Sequence, residues 1–227
     1  NIPFCKSKCG YCDYITVRDY KDYSALYINA LIREMNLYKN RQIKTVYIGG
    51  GTPSLLHVKL LGKLIDALNK IFKIDSAAEF TIEINPDDAT VELYTFYKKS
   101  GINRVSLGIQ SFNNHILEFL KRRYSSEKAI RAAELTGAEF DNFSIDILFA
   151  IPEVQTIQIL QNDLQTALKY NPKHLAVYDL VIENKTYLGF LLKNKKIQCI
   201  DDELYVEYYK LVYDYLTKNQ FNHYEIS

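Results

Sequence analysis

Three cysteines fall within eight residues, in the run Cys5-Lys-Ser-Lys-Cys9-Gly-Tyr-Cys12. Thiolates are soft donors, so three on one short loop suit an iron-sulfur cluster or zinc. A structural zinc site needs four ligands, and the loop holds neither a His nor a further Cys to complete the set. Cys199 could supply one only from a different predicted loop. Three thiolates on a cubane cluster instead leave one iron open to a small molecule.

Other polar groups recur just after predicted strands. In Gly49-Gly50-Gly51-Thr52-Pro53-Ser54, the glycines let main-chain N–H groups approach an anionic group closely, although the same run also makes a tight turn. Thr52 adds a hydroxyl, and Pro53 fixes the exit of the loop. Glu83, Gln110 and Asp146 stand where side chains from three consecutive strands could converge on one ligand. Carboxylates suit ribose hydroxyls or an ammonium group, and an amide both donates and accepts. Taken singly, each reads as a solvated strand end or a helix cap. Arg122 could pair with a carboxylate, with adjacent Arg123 leaving the register open by one.

The elements that must position these groups alternate. Tyr23, Leu26, Tyr27, Ala30, Leu31, Met35 and Tyr38 follow helical spacing, residues 45–48 are short and β-branched, and residues 58–73 are helical again. A strand at 80–84, a helix at 90–100 stopped by Gly101, a strand at 103–108 and helical stretches within 113–136 follow. Then come a strand at 143–149, a helix at 156–170, a strand at 174–182 and a last helix, N-capped by Asp201 or Asp202, reaching 218. Residues 1–4 read as the end of a strand and 223–227 as a strand cut short, so the chain is expected to be a piece of a longer protein. Six such units predict an α/β fold with parallel strands and crossover helices, either an open barrel or a flat doubly wound sheet. In both, the site lies at the C-terminal ends of the strands.

Composition narrows the class. The 227 residues, 48% hydrophobic, suffice for one domain with a sizeable core. Lys and Arg number 28 against 27 Asp and Glu, a formal charge of +1, so no excess argues for nucleic acid. No apolar run approaches the ~20 residues that cross a bilayer, and no signal-peptide order opens the chain, which predicts a cytoplasmic protein. His57, His115, His174 and His223 are scattered and read as surface or capping residues. Tyr205, Tyr208, Tyr209, Tyr213 and Tyr215 read as helix packing rather than a base-stacking platform.

The cysteine spacing with Tyr11 before the third Cys resembles the radical S-adenosylmethionine (SAM) family. Gly49-Gly-Gly-Thr-Pro-Ser54, Glu83-Ile-Asn-Pro86, Gly108-Ile-Gln-Ser-Phe112 and Ile145-Asp146 resemble, in order, the branch that contains the oxygen-independent coproporphyrinogen III dehydrogenases and the HemW-like haem chaperones. The resemblance implies a partial (β/α)6 TIM-like barrel over residues 1–227. It implies a 4Fe-4S cluster on Cys5, Cys9 and Cys12, and SAM against Tyr11, Gly50, Gly51, Thr52, Glu83, Gln110, Arg122 and Asp146. SAM would chelate the open iron, and one electron would split it into methionine and a 5'-deoxyadenosyl radical. The dehydrogenase pattern has a fourth Cys where this chain has Tyr14 and an Asp where it has Ser111, which favours the haem chaperones. That group implies haem or porphyrin as ligand, a haem-acceptor protein and an electron donor as partners, and a haem-associated His-Asn motif after HYEIS. The family also carries a SAM-contacting Tyr two residues before Asn1. A last departure is Ile151-Pro-Glu-Val-Gln-Thr156, where relatives have Leu-Pro-Gly-Gln-Thr; the sequence suggests no role for it.

Overall fold

A computed structural model describes residues 1–18 and 20–226. Its strands are β1 (Gln42–Ile48), β2 (Lys73–Ile84), β3 (Arg104–Gln110), β4 (Phe143–Phe149) and β5 (His174–Asp179). Its helices are α1 (Tyr20–Met35), α2 (Val58–Ile71), α3 (Val91–Lys99), α4 (Asn114–Phe119), α5 (Ser126–Glu139), α6 (Ile157–Leu168), α7 (Tyr187–Lys193) and α8 (Asp202–Lys218). Side-chain caps start most of them: Thr90, Asn113, Ser125, Thr156, Thr186 and Asp201 each accept from a main-chain N–H in the first turn.

The five strands are all parallel and ordered β1-β2-β3-β4-β5. A doubly wound sheet reverses direction at a switch point, whereas right-handed crossovers that always step the same way put every helix on one face. The sheet therefore curls into part of a barrel, and the flat alternative is excluded. Register lines up apolar residues for the helices: Ile82 pairs with Val105, Val105 with Phe143, Leu107 with Ile145, and Ile145 with Leu175. Behind this convex face Leu61, Leu64, Ala129, Ala132, Leu160 and Leu164 complete the main core.

Three expectations need correction. The strand read at 1–4 is reduced to isolated bridges, Ile2 to Gly50 and Phe4 to Val17. Residues 221–226 form no strand; instead Tyr224 OH lies 2.7 Å from His174 Nε2 and His223 packs edge-on against Tyr213. Ser227, which closed that expected strand, lies outside the described residues. Five strands thus stand where six were counted. Helix α7 was missed because its seven residues are too short to show a period.

Candidate active site

The cysteine loop is anchored from two directions. Ile2 N donates to Gly49 O and Gly51 N to Ile2 O, both at 2.7 Å, which lays the chain before Cys5 against the triple-glycine loop. On the other side Gly10 N donates to Leu120 O at 2.9 Å, and Leu188 N to Gly10 O at 2.9 Å. Glycine is required at 50, where φ is +132° and a Cβ would stand 2.2 Å from Asn1 Oδ1. A Cβ on Gly51 would stand 2.9 Å from Cys5 Sγ. The glycines are thus needed for close approach of two main chains. The N–H groups of Gly50 and Gly51 are spent on Glu83 Oε2 and Ile2 O, so they do not offer the anion-binding surface that the sequence suggested.

Cys5, Cys9 and Cys12 are free thiols opening into one cavity of about 540 Å³ at the C-terminal ends of the strands, a volume typical of a small-molecule site. Tyr11, Gly50, Gly51, Thr52, Glu83, Gln110, Arg122 and Asp146 line the same cavity. Cys199 is exposed and takes no part in that lining. Burial pushes the Cys5 and Cys12 thiols up, and each is further opposed by a neighbouring thiol. A cationic cluster core would offset both effects. Ser7 Oγ, in the same loop, is buried without a hydrogen-bond partner. Among the described residues no group of three His, Cys, Asp or Glu is arranged around one metal ion. Three soft donors and an orphaned hydroxyl on one cavity wall fit a thiolate-held group.

Glu83 and Gln110 stand at strand ends, whereas Ser106 and Asp146 lie within β3 and β4. Glu83 takes hydrogen bonds from Tyr47 OH and Gly50 N, both at 2.9 Å. Ser106 Oγ donates to Asp146 Oδ1 at 3.1 Å. Burial pushes the Asp146 carboxyl up to about 7, the Ser106 hydrogen bond opposes this, and the charge of Glu83 adds to it. Gln110 sits in the left-handed region (φ 68°) at a break in the β3–β4 register, and Tyr178 OH donates to its Oε1 at 3.4 Å. Such strain in a non-glycine residue is retained where the surroundings enforce it. Here it turns the amide into the cavity.

The two adjacent arginines both line the cavity but take different partners. Arg122 is half-buried and reaches Cys9 Sγ at 3.2 Å and Gly108 O at 3.0 Å, whereas Arg123 points to Asp87 Oδ2 at 3.2 Å. Ser111 does not share this site. It is fully buried, and its hydroxyl donates to Asp163 Oδ2 of α6 at 2.6 Å, outside the residues that line the cavity. Its difference from the dehydrogenase pattern is a packing difference between β3 and α6. Tyr14, the other discriminating residue, does line the cavity.

The sequence reading missed Tyr47, Ser106, Tyr178, Tyr124 and Asp163. Period-two spacing could have found the first two, because Tyr47 precedes Gly49 by two residues and Ser106 precedes Gly108 likewise. Asp163 lies on the buried stripe Leu160, Asp163, Leu164 and Ala167 of α6, where a carboxylate needs a partner. Within the Ile151–Thr156 loop, Gln155, which the relatives' pattern also carries, has a structural role. Gln155 Oε1 accepts from Ile151 N and Nε2 donates to Leu148 O, while Gln155 O accepts from Tyr208 OH of α8.

The radical SAM superfamily model matches residues 2–160. Among curated relatives, "Heme chaperone HemW" of Lactococcus lactis is 33% identical over 100% of this chain and 60% of its own length. The protein of that name from Buchnera aphidicola of Schizaphis graminum is 39% identical over 82% of this chain and 50% of its own length. The chain thus spans 50–60% of these relatives. Among solved structures, the coproporphyrinogen III oxidase HemN of Escherichia coli superposes with a TM-score of 0.81 at 22% identity, covering 96% of this chain and 51% of that one. Streptococcus suis SuiB bound to S-adenosylmethionine superposes at 0.65 and 16% identity, covering 97% and 47%. At these identities the likeness is one of fold.

Proposed function

The chain belongs to the radical SAM superfamily, and on that premise we propose that Cys5, Cys9 and Cys12 hold a 4Fe-4S cluster with SAM bound beside it, in the core of a HemW-like haem chaperone. The observation that carries this reading is that three free thiols open into the same cavity as Glu83, Gln110, Arg122 and Asp146. When bound, the cluster supplies one electron to the SAM sulfonium. The chain's own residues bind and orient. Glu83, held by Tyr47 OH and Gly50 N, presents a fixed carboxylate to hydroxyl or ammonium groups, and Gln110 offers both a donor and an acceptor. Asp146, with its carboxyl near neutrality, can do either according to its proton.

Residues 1–227 form the core domain in this reading, and haem, a haem-acceptor protein and an electron donor are partners of the intact protein. The relatives named as heme chaperones support that choice. A cytoplasmic location goes with it, because free thiols holding such a cluster require a reducing compartment; no described helix is long and apolar enough to cross a membrane. The second reading, an oxygen-independent coproporphyrinogen III dehydrogenase, is favoured by the fold shared with HemN. Against it stands Tyr14, which brings a phenol to the cavity where the dehydrogenase pattern has a thiolate.

Anaerobic reconstitution tests the cofactor: about four irons per chain are expected. Ala at any of the three cysteines abolishes them, and Cys199→Ala does not. Stoichiometric zinc, or equal dependence on Cys199, overturns the cluster. Full-length protein is expected to bind haem and pass it to an acceptor while leaving coproporphyrinogen III unconverted with SAM and a reductant present. Formation of protoporphyrinogen IX promotes the second reading.

A further inference from the structure

The turn between α4 and α5 holds a guanidinium against one of the three thiols. Lys121 takes the left-handed conformation (φ 54°), Arg122 N closes the end of α4 on Leu117 O at 2.8 Å, and Leu120 O receives the N–H of Gly10 from the cysteine loop. The Arg122 backbone and the Cys9-Gly10 backbone are thus fixed to each other before any side chain is considered. The side chain is fixed as well. Nε donates to Tyr124 OH at 2.9 Å, Nη2 to Gly108 O at 3.0 Å, and Nη1 to Cys9 Sγ at 3.2 Å and Tyr11 OH at 3.4 Å. Tyr124 OH in turn lies 2.7 Å from Ile109 O and its ring is buried, which ties the guanidinium to β3. Burial works against the charge of Arg122, but Tyr124, Tyr11 and Cys9 outweigh it.

We propose that Arg122 is a positioning residue that raises the reduction potential of the cluster through its hydrogen bond to the Cys9 sulfur, and that Tyr124 orients it for this task. This rests on the cluster reading above. Hydrogen bonds to ligating sulfurs and nearby positive charge are among the factors that set an iron-sulfur potential. Reduction adds a negative charge to the cluster, so a cation donating to one of its sulfurs favours the reduced state. The role differs from pairing with a carboxylate of SAM in that it is exerted on the SAM-free cluster.

The test is a redox titration followed by electron paramagnetic resonance on anaerobically reconstituted protein without SAM. Arg122→Gln is expected to shift the reduction equilibrium about tenfold toward the oxidised state, a potential about 59 mV more negative for one electron. Arg122→Lys keeps the charge but not the fork, and Tyr124→Phe keeps the guanidinium but frees its Nε; each should shift the potential less, in the same direction. A wild-type potential in Arg122→Gln protein of full iron content overturns the proposal. Should that variant take up no iron, wild-type potentials in both Arg122→Lys and Tyr124→Phe overturn it instead. A wild-type protein that assembles no cluster removes the underlying cofactor reading as well, and iron analysis distinguishes that outcome.

Discussion

On the convex face of the sheet, Ile82, Val105, Leu107, Phe143, Ile145 and Ile147 are buried under the helices. On the concave face of the same strands stand Tyr47, Glu83, Ser106, Asp146 and Tyr178, several of them half-exposed in the cavity. Alternating residues of one chain segment thus meet opposite demands. Convex residues stabilise by leaving water and are interchangeable with others of similar volume, whereas concave residues must keep hydrogen-bond partners because they sit in a polar site. Asp163 is the instructive exception, a carboxylate on the convex side, satisfied by Ser111 Oγ and by Phe112 N at 2.8 Å.

The largest expected effect breaks the convex side. Leu107 is fully buried, so Leu107→Ala should cost about 2–5 kcal/mol in denaturant unfolding, with iron content of the folded protein unchanged. A loss below about 1 kcal/mol would show that this face is not the core.

The exception sharpens the contrast through pH. Burial pushes the Asp163 carboxyl from 3.8 up to about 6, against the opposing hydrogen bonds of Ser111 and Phe112. Between those values the folded protein holds the proton and the unfolded chain has released it. Stability therefore falls as pH rises from about 4 through about 6, by up to about 3 kcal/mol. Asp163→Asn should flatten this segment of the stability profile, and an unchanged slope would show that the carboxyl titrates normally.

On the concave side the effect moves from folding to binding. Loss of a charge-assisted hydrogen bond is worth about 1.5–3 kcal/mol, so Glu83→Ala should weaken SAM roughly tenfold or more by calorimetry on cluster-loaded protein. Its effect on unfolding should stay below that of Leu107→Ala. Equal SAM affinity would make Glu83 a structural bracket for Gly50. The smallest effect is that of Tyr47→Phe, which removes the hydroxyl that donates to Glu83. SAM should bind only a few-fold more weakly, about 0.5–1.5 kcal/mol, and a loss as large as that of Glu83→Ala would mean that Tyr47 itself meets the ligand.

Cys5, Cys9 and Cys12 were legible in the sequence because their chemistry depends on residue type and short spacing. The alternation of elements was legible because periods of 3.6 and 2 residues are local properties of the chain. The same locality limited what could be read. Glu83 and Gln110 were recognisable as strand-end groups, whereas Asp146 lies in the middle of β4, and nothing local says that an αL turn at Gln110 aims its amide into the cavity or that Ser106 holds Asp146. Adjacent Arg122 and Arg123 are indistinguishable by composition; the turn at Lys121 sends one to Cys9 and the other to Asp87. Ser111 follows the cavity residue Gln110 directly in the chain, and only the packing of α6 on β3 turns it away.

By itself, then, the sequence determined the identity of the donors and the alternation of strands and helices that carry them. Tertiary structure decided which face each polar side chain joins, which N–H groups remain for a ligand and which charges meet. Those outcomes depend on register and on contacts between residues far apart in the chain, such as Gly10 with Leu120 and Ser111 with Asp163, and a local pattern carries no information about either.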